Sequence, residues 1–536
     1  MVTVSRILRL RSLLPVALVV SAALAGPAAA QGGASAASAD GIEPPASPRV
    51  LVTPDALVRH DPTRRMLVRV ETPAEAASNP VLAPDQTGTD ARRLRSWIAE
   101  GSAAGLAGVF YDNRDRGHSR LAPTLFPQLT HIAYDDALQD EGADRSLAVN
   151  FLFPGPVLGN ASLAVRGGPQ ARSLPRLAMT MPDGATAKAV SYFANQLYVY
   201  PAHEDVRDGH DVLPAMLPYF TISLGSSHRD RPLVEAYAMA LASMTPETRA
   251  RAEALGLLAP TLTMLMRRSL EGVTDYLSPA AHPAAIPRAR LRPGVMMSAA
   301  QALTPDTLPP LVRLNVLEEG FTDAAGLSGR SERLFDTPAA VARLWRDFAG
   351  RREMVVSTEA TRDPNGRELK IHWVLLSGDP DRVRIEPLDP AGRRARITVD
   401  WHDAPFRSGA DDRRRSRVEI AAIAWNGAQF SAPSFITVAF PPHERRTFAP
   451  DAQGVPQLVS VDYHAAARGD AFDPLLWWQA PWRDVALRDD LGRLIGWRRE
   501  GDGARPVIIS PADHGVYRLS GANGANPTLQ WSERAD

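Results

Sequence analysis

The apolar spacing of this 536-residue chain changes at Gly350, from roughly 3.6 residues to about two, and no other feature constrains its fold as much. Before that point, strand-like runs give way to helical ones. Arg49-Val50-Leu51-Val52, Met66 to Val70, Leu129 to Tyr134, Leu147 to Phe153, Gln196 to Tyr200 and Tyr219 to Leu224 read as strands. Asp90 is placed to cap a helix with Leu94, Trp97 and Ile98 on one side, and Pro232 opens another over Leu233 to Met244. Thr245-Pro246-Glu247 supplies the cap, first-turn proline and first-turn acid of the next, which Gly256 ends. Leu258, Leu262, Leu265 and Met266 form a core stripe, and Asp336-Thr337-Pro338 predicts a last helix carrying Val341, Leu344, Trp345 and Phe348 on one face.

After Gly350 the runs are short and two-periodic: Met354 to Ser357, Leu369 to Val374, Ala395 to Val399, Val418 to Ile423 and Phe435 to Phe440. Asp363-Pro364-Asn365-Gly366 and Asn426-Gly427 supply turns between them. The expected chain is multidomain: an α/β or α+β domain over 49–349, an all-β sandwich over 350–441 and a small Trp-rich β tail over 442–536. Trp477, Trp478, Trp482 and Trp497 in that tail gain more by packing than by stacking on a sugar.

Residues 1–30 have the three parts of a secretory signal: Arg6, Arg9 and Arg11, an apolar run from Leu13 to Ala25, then Ala28-Ala29-Ala30. Residues 31–48 are a Gly-, Ala-, Ser- and Pro-rich leader. The expectation is a secreted or periplasmic protein with no membrane span once the signal is removed. There is no cysteine, which excludes disulfides, thiolate metal sites and a cysteine nucleophile. Sixty basic and sixty acidic residues balance, so nothing points to nucleic acid. Lys188 and Lys370 are the only lysines.

Ser357 through Gly378 resembles the PKD and related Ig-like modules of secreted bacterial proteins, in which a turn like Asp363-Pro364-Asn365-Gly366 precedes a strand bearing a core tryptophan, here Trp373. Val374-Leu375-Leu376 stand where the PKD pattern has a Gly-Asp-Gly-like segment. The resemblance implies an Ig-like sandwich acting as a spacer or binding platform. Asp489 through Trp497 resembles one hairpin of the YD-repeat type. Tyr111 to Ser119, Val157-Leu158-Gly159-Asn160 and Leu224-Gly225-Ser226-Ser227 resemble a family of uncharacterised secreted bacterial proteins, which implies export and no particular activity.

Phe110 to Ser119 is the densest polar run, with no apolar residue after Phe110 to bury it as an ordinary strand or helix. It reads either as a loop tied by paired charges or as a cleft floor that orients an anionic or polyhydroxylated ligand. Tyr111, Asp112, Asn113, Arg114 and Arg116 are its ligand-binding candidates, joined by His203, His210 and Asp211 from a second polar loop. Those histidines and acids would also be the ligands of any hydrolytic metal site, although their spacing fits no helix-borne zinc motif. Catalytic candidates are His118, Asp115, Ser226 and Ser227; the two serines sit on a turn before a helix, where they can cap it or hold an oxyanion. No cofactor follows from these residues. Two function classes fit: an exported protein that binds a ligand or partner at the envelope or outside the cell, and a secreted hydrolase with a His/Asp/Ser site in the first domain.

Overall fold

Six parallel strands form the central sheet of the N-terminal region: β1 (Arg49–Val52), β2 (Phe110–Arg114), β3 (Thr130–Tyr134), β4 (Val157–Ala161), β5 (Gln196–Pro201) and β6 (Phe220–Ser223). Their spatial order is β1-β3-β2-β4-β5-β6. The computed structural model describes residues 46–59, 65–146, 149–162, 174–181, 183–207, 209–408, 413–463, 476–477, 480, 482–501, 505–511, 517–520 and 528–531, all within one compact unit. The signal, most of the leader, Arg172, Asp208 and Trp478 lie outside the described residues.

The first half of the polar run that reads as a loop, Phe110 to Arg114, is in fact β2, a central strand buried along its whole length, and only Asp115 to Ser119 form a loop after it. Alternation sends Phe110, Asp112 and Arg114 to one face and Tyr111 and Asn113 to the other. Each polar side chain finds a partner on its own face, which is what allows so polar a strand to be buried. Gly159 of β4 lets the neighbouring strand close in, because a Cβ there would lie 2.5 Å from the Asp112 carbonyl and from the Tyr198 ring.

The helices are α1 (Thr89–Ala99), α2 (Gly184–Phe193), α3 (Arg231–Ser243), α4 (Pro246–Ala254) and α5 (Leu258–Arg268). Asp90 lies inside the first turn of α1 and does not cap it, α2 starts with no side-chain cap or first-turn proline, and α3 to α5 follow from local signals. Pro232 is in the first turn of α3, and the Thr245 hydroxyl accepts from Thr248 N to cap α4. Gly256 ends α4 at φ 65°, and Leu258, Leu262, Leu265 and Met266 are buried on α5. Among the described residues no helix is long and apolar enough to cross a membrane.

Two further sheets face each other across a shared core that includes Trp345, Ile397, Val399, Ile420 and Ile436. One has four antiparallel strands, Asn315–Glu319, Arg351–Ser357, Arg394–Asp400 and Val383–Pro387; the other has five, Arg333–Thr337, Ala340–Leu344, Ser434–Ala439, Arg417–Trp425 and Lys370–Ser377. The five-stranded sheet is covered on its second face too, where Ala340, Leu376, Ala421, Ile423 and Phe435 join the core of the parallel-sheet region.

That double burial explains a correction. The helix expected from Asp336 onward is instead a hairpin of Arg333–Thr337 and Ala340–Leu344, whose turn the Thr337 hydroxyl fastens by accepting from Ala340 N at 3.0 Å. A strand apolar on both faces carries no two-residue alternation, so its apolar spacing imitates a helix.

The tail is a five-stranded antiparallel sheet running Glu444–Pro450, Pro456–Tyr463, Trp482–Arg488, Leu494–Gly501 and Val507–Ile509. Trp477 and Trp497 are buried in its core. The hairpin at Asp489 closes as expected, its carboxylate accepting from Leu491 N and Arg493 N with Gly492 at φ 75°.

Candidate functional site

In a parallel sheet, side chains converge where neighbouring strands send their connections in opposite directions. Here β2 leads back to β3 while β4 leads outward to β5, so the point at which a crevice is expected lies between the carboxyl ends of β2 and β4. Asn113 and Asp115 come from the end of β2, and Asn160 and Ser162 from the end of β4. His203 follows β5, and Ser227, His228 and Asp230 lie on the turn from β6 into α3.

Asn160 is the hub. Its Nδ2 donates to Asp230 Oδ2 at 2.9 Å, while its Oδ1 accepts from the Tyr111 hydroxyl at 2.6 Å and from Asn113 Nδ2 at 3.2 Å. The loop after β2 wraps around Asn113, whose Oδ1 accepts from Gly117 N at 2.9 Å and whose Nδ2 donates to the His118 carbonyl at 2.7 Å. Ser119 Oγ then accepts from His228 N at 2.7 Å, tying this loop to the turn before α3. The His118 and His228 rings lie roughly parallel with centroids 6.4 Å apart. Ser162 Oγ is 3.1 Å from His203 Nε2, and Ser227 Oγ is 3.5 Å from the same nitrogen.

The backbone here is held in unfavourable conformations. Six described non-glycine residues have positive φ; three of them, Ser119 (57°), His203 (40°) and His228 (73°), belong to this crevice, and Arg116 (50°) lies on the loop that leads into it. Such residues persist only where surrounding contacts over-determine them, and they cluster where a chain presents side chains for a task.

Two carboxylates set the electrostatics. Asp230 is 1% exposed, and its Oδ1 has no hydrogen-bond partner. Asp115 is half-buried, and its pKa is pushed up to about 7, first by burial and then by the negative charge of Asp230; the Ser162 hydroxyl bonded to it pulls the other way. Asp115 therefore exchanges a proton near neutral pH, beside an anion fixed by Asn160. A carboxyl so tuned can take a proton from water or give one to a leaving group.

The opposite face of β2 is closed. Asp112 accepts from Tyr134 OH at 2.8 Å and Tyr198 OH at 2.7 Å. Burial pushes its carboxyl up, against the downward pull of Arg114. Arg114 donates to the carbonyls of Ala143, Arg145 and Val149 at 2.6, 2.7 and 2.8 Å. Lys188 Nζ donates to Ser146 O at 2.5 Å, and burial first, then the Arg114 charge, brings its pKa down to about 7.

The sequence candidates thus divide. Asp115, His118, Asn113, His203 and Ser227 meet in the crevice, with Tyr111 beneath them supporting Asn160. Asp112 and Arg114 lie on the closed face. Exposed Arg116 reaches away to Gln139 O at 2.8 Å and Asp144 at 3.4 Å, and Ser226 is exposed with its carbonyl on Arg229 N. Asp211 is in a buried ion pair with Arg417, and His210 pairs by its backbone with Arg207 and Arg414, so neither joins the crevice. Among the described residues no three His, Asp or Glu side chains gather as a metal site. Sequence reasoning missed Asn160, Ser162 and Asp230; the signal for all three is position, at the carboxyl end of a parallel strand or just before a helix that leaves one.

No family model matches the chain, and no curated protein matches it. Among solved structures it is similar to a nucleoside hydrolase-related hypothetical protein from Saccharophagus degradans associated with carbohydrate metabolism, at 10% identity over 54% of this chain and 72% of that one. The TM-score is 0.19, a likeness that carries no argument about fold or activity.

Proposed function

We propose that the crevice is a hydrolytic site in which Asp115 moves the proton. The observation that carries this reading is the meeting of two carboxylates from separate strand ends, one titrating near neutrality and one, Asp230, buried with an unpartnered oxygen. Ionised Asp115 takes a proton from water as the water oxygen bonds to the substrate's electrophilic carbon, and returns that proton to the leaving group as its bond breaks. Asp230 is enclosed behind Asn160 and acts on Asp115 by its charge, not by touching substrate. The test is a screen of the full chain against chromogenic glycosides, esters and phosphoesters. Asp115→Asn should lower turnover by about 10²- to 10⁴-fold with the fold retained; undiminished turnover in that variant would sink the reading.

A second reading rests on the 3.1 Å contact between Ser162 Oγ and His203 Nε2, which becomes a nucleophile and its base when the Ser162 proton turns from Asp115 to His203. It requires Ser162→Ala to abolish turnover while Asp115→Asn only weakens it. If no substrate turns over, the crevice is a ligand-binding site, and the exported binding protein stands in place of the hydrolase.

The two facing sheets support an Ig-like module, although the tryptophans in their core are Trp345 and Trp401, with the expected Trp373 half-buried against it, and the layout of residues 1–30 supports export. A mature chain beginning near Gln31, measured by intact mass after expression in a secreting host, checks the latter; retention of residues 1–30 would overturn it.

A further inference from the structure

His203 is delivered to Ser162 by the connection between β5 and β6, and its own backbone is strained, with φ at 40° and its N–H donating to Gly225 O at 3.3 Å. Something must hold that connection, and two anchors on it lead outside the parallel-sheet region, one through Arg176 to Trp477 and one directly to Arg417.

The first anchor is Asp205, two residues past His203. Its buried carboxylate pairs with Arg176 Nε at 3.3 Å, and the Arg176 guanidinium lies over the ring of Trp477, 5.4 Å from its centroid. Trp477 is itself 3% exposed and packed in the core of the C-terminal sheet. The Asp205 carbonyl accepts from Val212 N at 2.8 Å, which closes the loop onto the second anchor.

The second anchor is Asp211. Both of its carboxylate oxygens take an N–H of Arg417, at 2.7 and 2.8 Å, and Arg417 also donates to Leu213 O at 2.7 Å. Arg417 belongs to the doubly buried five-stranded sheet and forms a further ion pair with Glu419 at 2.7 Å. A two-point guanidinium–carboxylate contact fixes direction as well as distance. Further along the connection, Met216 N donates to Thr437 Oγ1 at 3.2 Å.

We infer that Arg417 and Trp477 are positioning residues for His203, so that both downstream β-regions take part in building the crevice. The inference rests on the proposed function only in treating His203 as a working member of the site. The downstream sheets are then neither spacers nor platforms, because the segment that orients the imidazole is fastened to them at both ends. Ion pairs that merely glued two regions together would have no reason to bracket this loop.

The test uses the full-length chain labelled at histidine, with the His203 ring signals assigned by comparison with His203→Gln. In Arg417→Lys and in Trp477→Leu, the His203 ring nitrogen shifts and titration midpoint should move, while those of His131, packed on Tyr111 in the parallel sheet, stay in place. A His203 signal unchanged in both variants, with native circular dichroism, overturns the inference. Should Arg417→Lys fail to fold, the triple change Asp211→Asn, Arg417→Met and Glu419→Gln, which neutralises both acids that face Arg417, replaces it, and Trp477→Leu alters no charge at all. Where a hydrolysed substrate is in hand, the same variants should lose about tenfold or more in kcat with KM little changed, as misplacement of a reacting group does. The ring signals need no substrate. An absence of hydrolysis therefore counts against the proposed function alone, and an immobile His203 against the positioning role alone.

Discussion

The two faces of β2 carry similar side chains to opposite ends. On one, Asp112, Arg114 and, from α2, Lys188 are enclosed by Tyr134 and Tyr198, and the carboxylate, the ammonium and one guanidinium nitrogen are committed to fixed partners, with Arg114 Nε left over. On the other, Asn113 and Asp115 meet Asn160 and Asp230 at the open end of the sheet, where one carboxylate oxygen is left without a partner and one carboxyl titrates near 7. Both faces bury acids. The difference is position along the strand: β2 residues in the middle are covered by neighbours on every side, whereas those at its carboxyl end lie at a place where the topology keeps neighbours away. The same short stretch is therefore a structural charge network and a candidate site at once, divided by the alternation of a strand.

The contrast can be broken most directly on the closed face. Arg114→Leu removes the cation beside Asp112 and strips three carbonyls of their donor; it should cost about 3–5 kcal/mol in urea unfolding, the usual result of unpairing a buried charge. Asp115→Asn should leave stability within about 1 kcal/mol at pH 4, close to the 3.8 at which the Asp115 carboxyl ionises in the unfolded chain, and should remove turnover at neutral pH. Equal destabilisation by the two changes would erase the distinction.

The pH dependence of stability gives a smaller but sharper contrast, because the two faces slope in opposite directions. Lys188 titrates near 7 when folded and at 10.5 when unfolded. Between those values the unfolded chain binds the extra proton, so this residue makes stability rise with pH across that window. Asp115 titrates near 7 when folded and at 3.8 when unfolded. Between those values the folded chain binds the extra proton, so stability falls as pH rises toward 7 and is level above it. Lys188→Met should abolish the rise above pH 7, and Asp115→Asn the smaller fall below it, leaving that variant the more stable protein at pH 8. Denaturant midpoints measured from pH 4 to 10 read both; parallel slopes in wild type and variants would contradict the assignment.

How much of this was legible in the chain depends on whether a signal is local. The starts of α3 and α4, the stop at Gly256 and the hairpin at Asp489 are written in prolines, caps and glycines that act within a few residues. The strand at Ala340 was not legible, since burial on both faces removes the alternation that marks a strand. β2 was read as a loop for a related reason: its polar residues are satisfied by partners as far along as Asn160 and Tyr198, which composition cannot show. The crevice divides the same way. Asp115, His118 and His203 stand out as residue types in dense polar runs, but Asn160 and Asp230 acquire meaning only from the strand order. Asp211, eight residues from His203 by sequence number, was drawn into the same candidate site by proximity, and Arg417 on a distant strand claims it instead.

The five-stranded sheet with both faces covered also sets a schedule for synthesis. Met216 N waits for Thr437, which follows it by 221 residues, and Phe435 and Ala421 complete the core of the parallel-sheet region. At ~5–20 residues per second of translation, the first half of the chain is made roughly ten to forty seconds before the surface that seals it. Until then one apolar flank of the nascent protein has no native cover, and the first half of the chain is exposed to association through that flank.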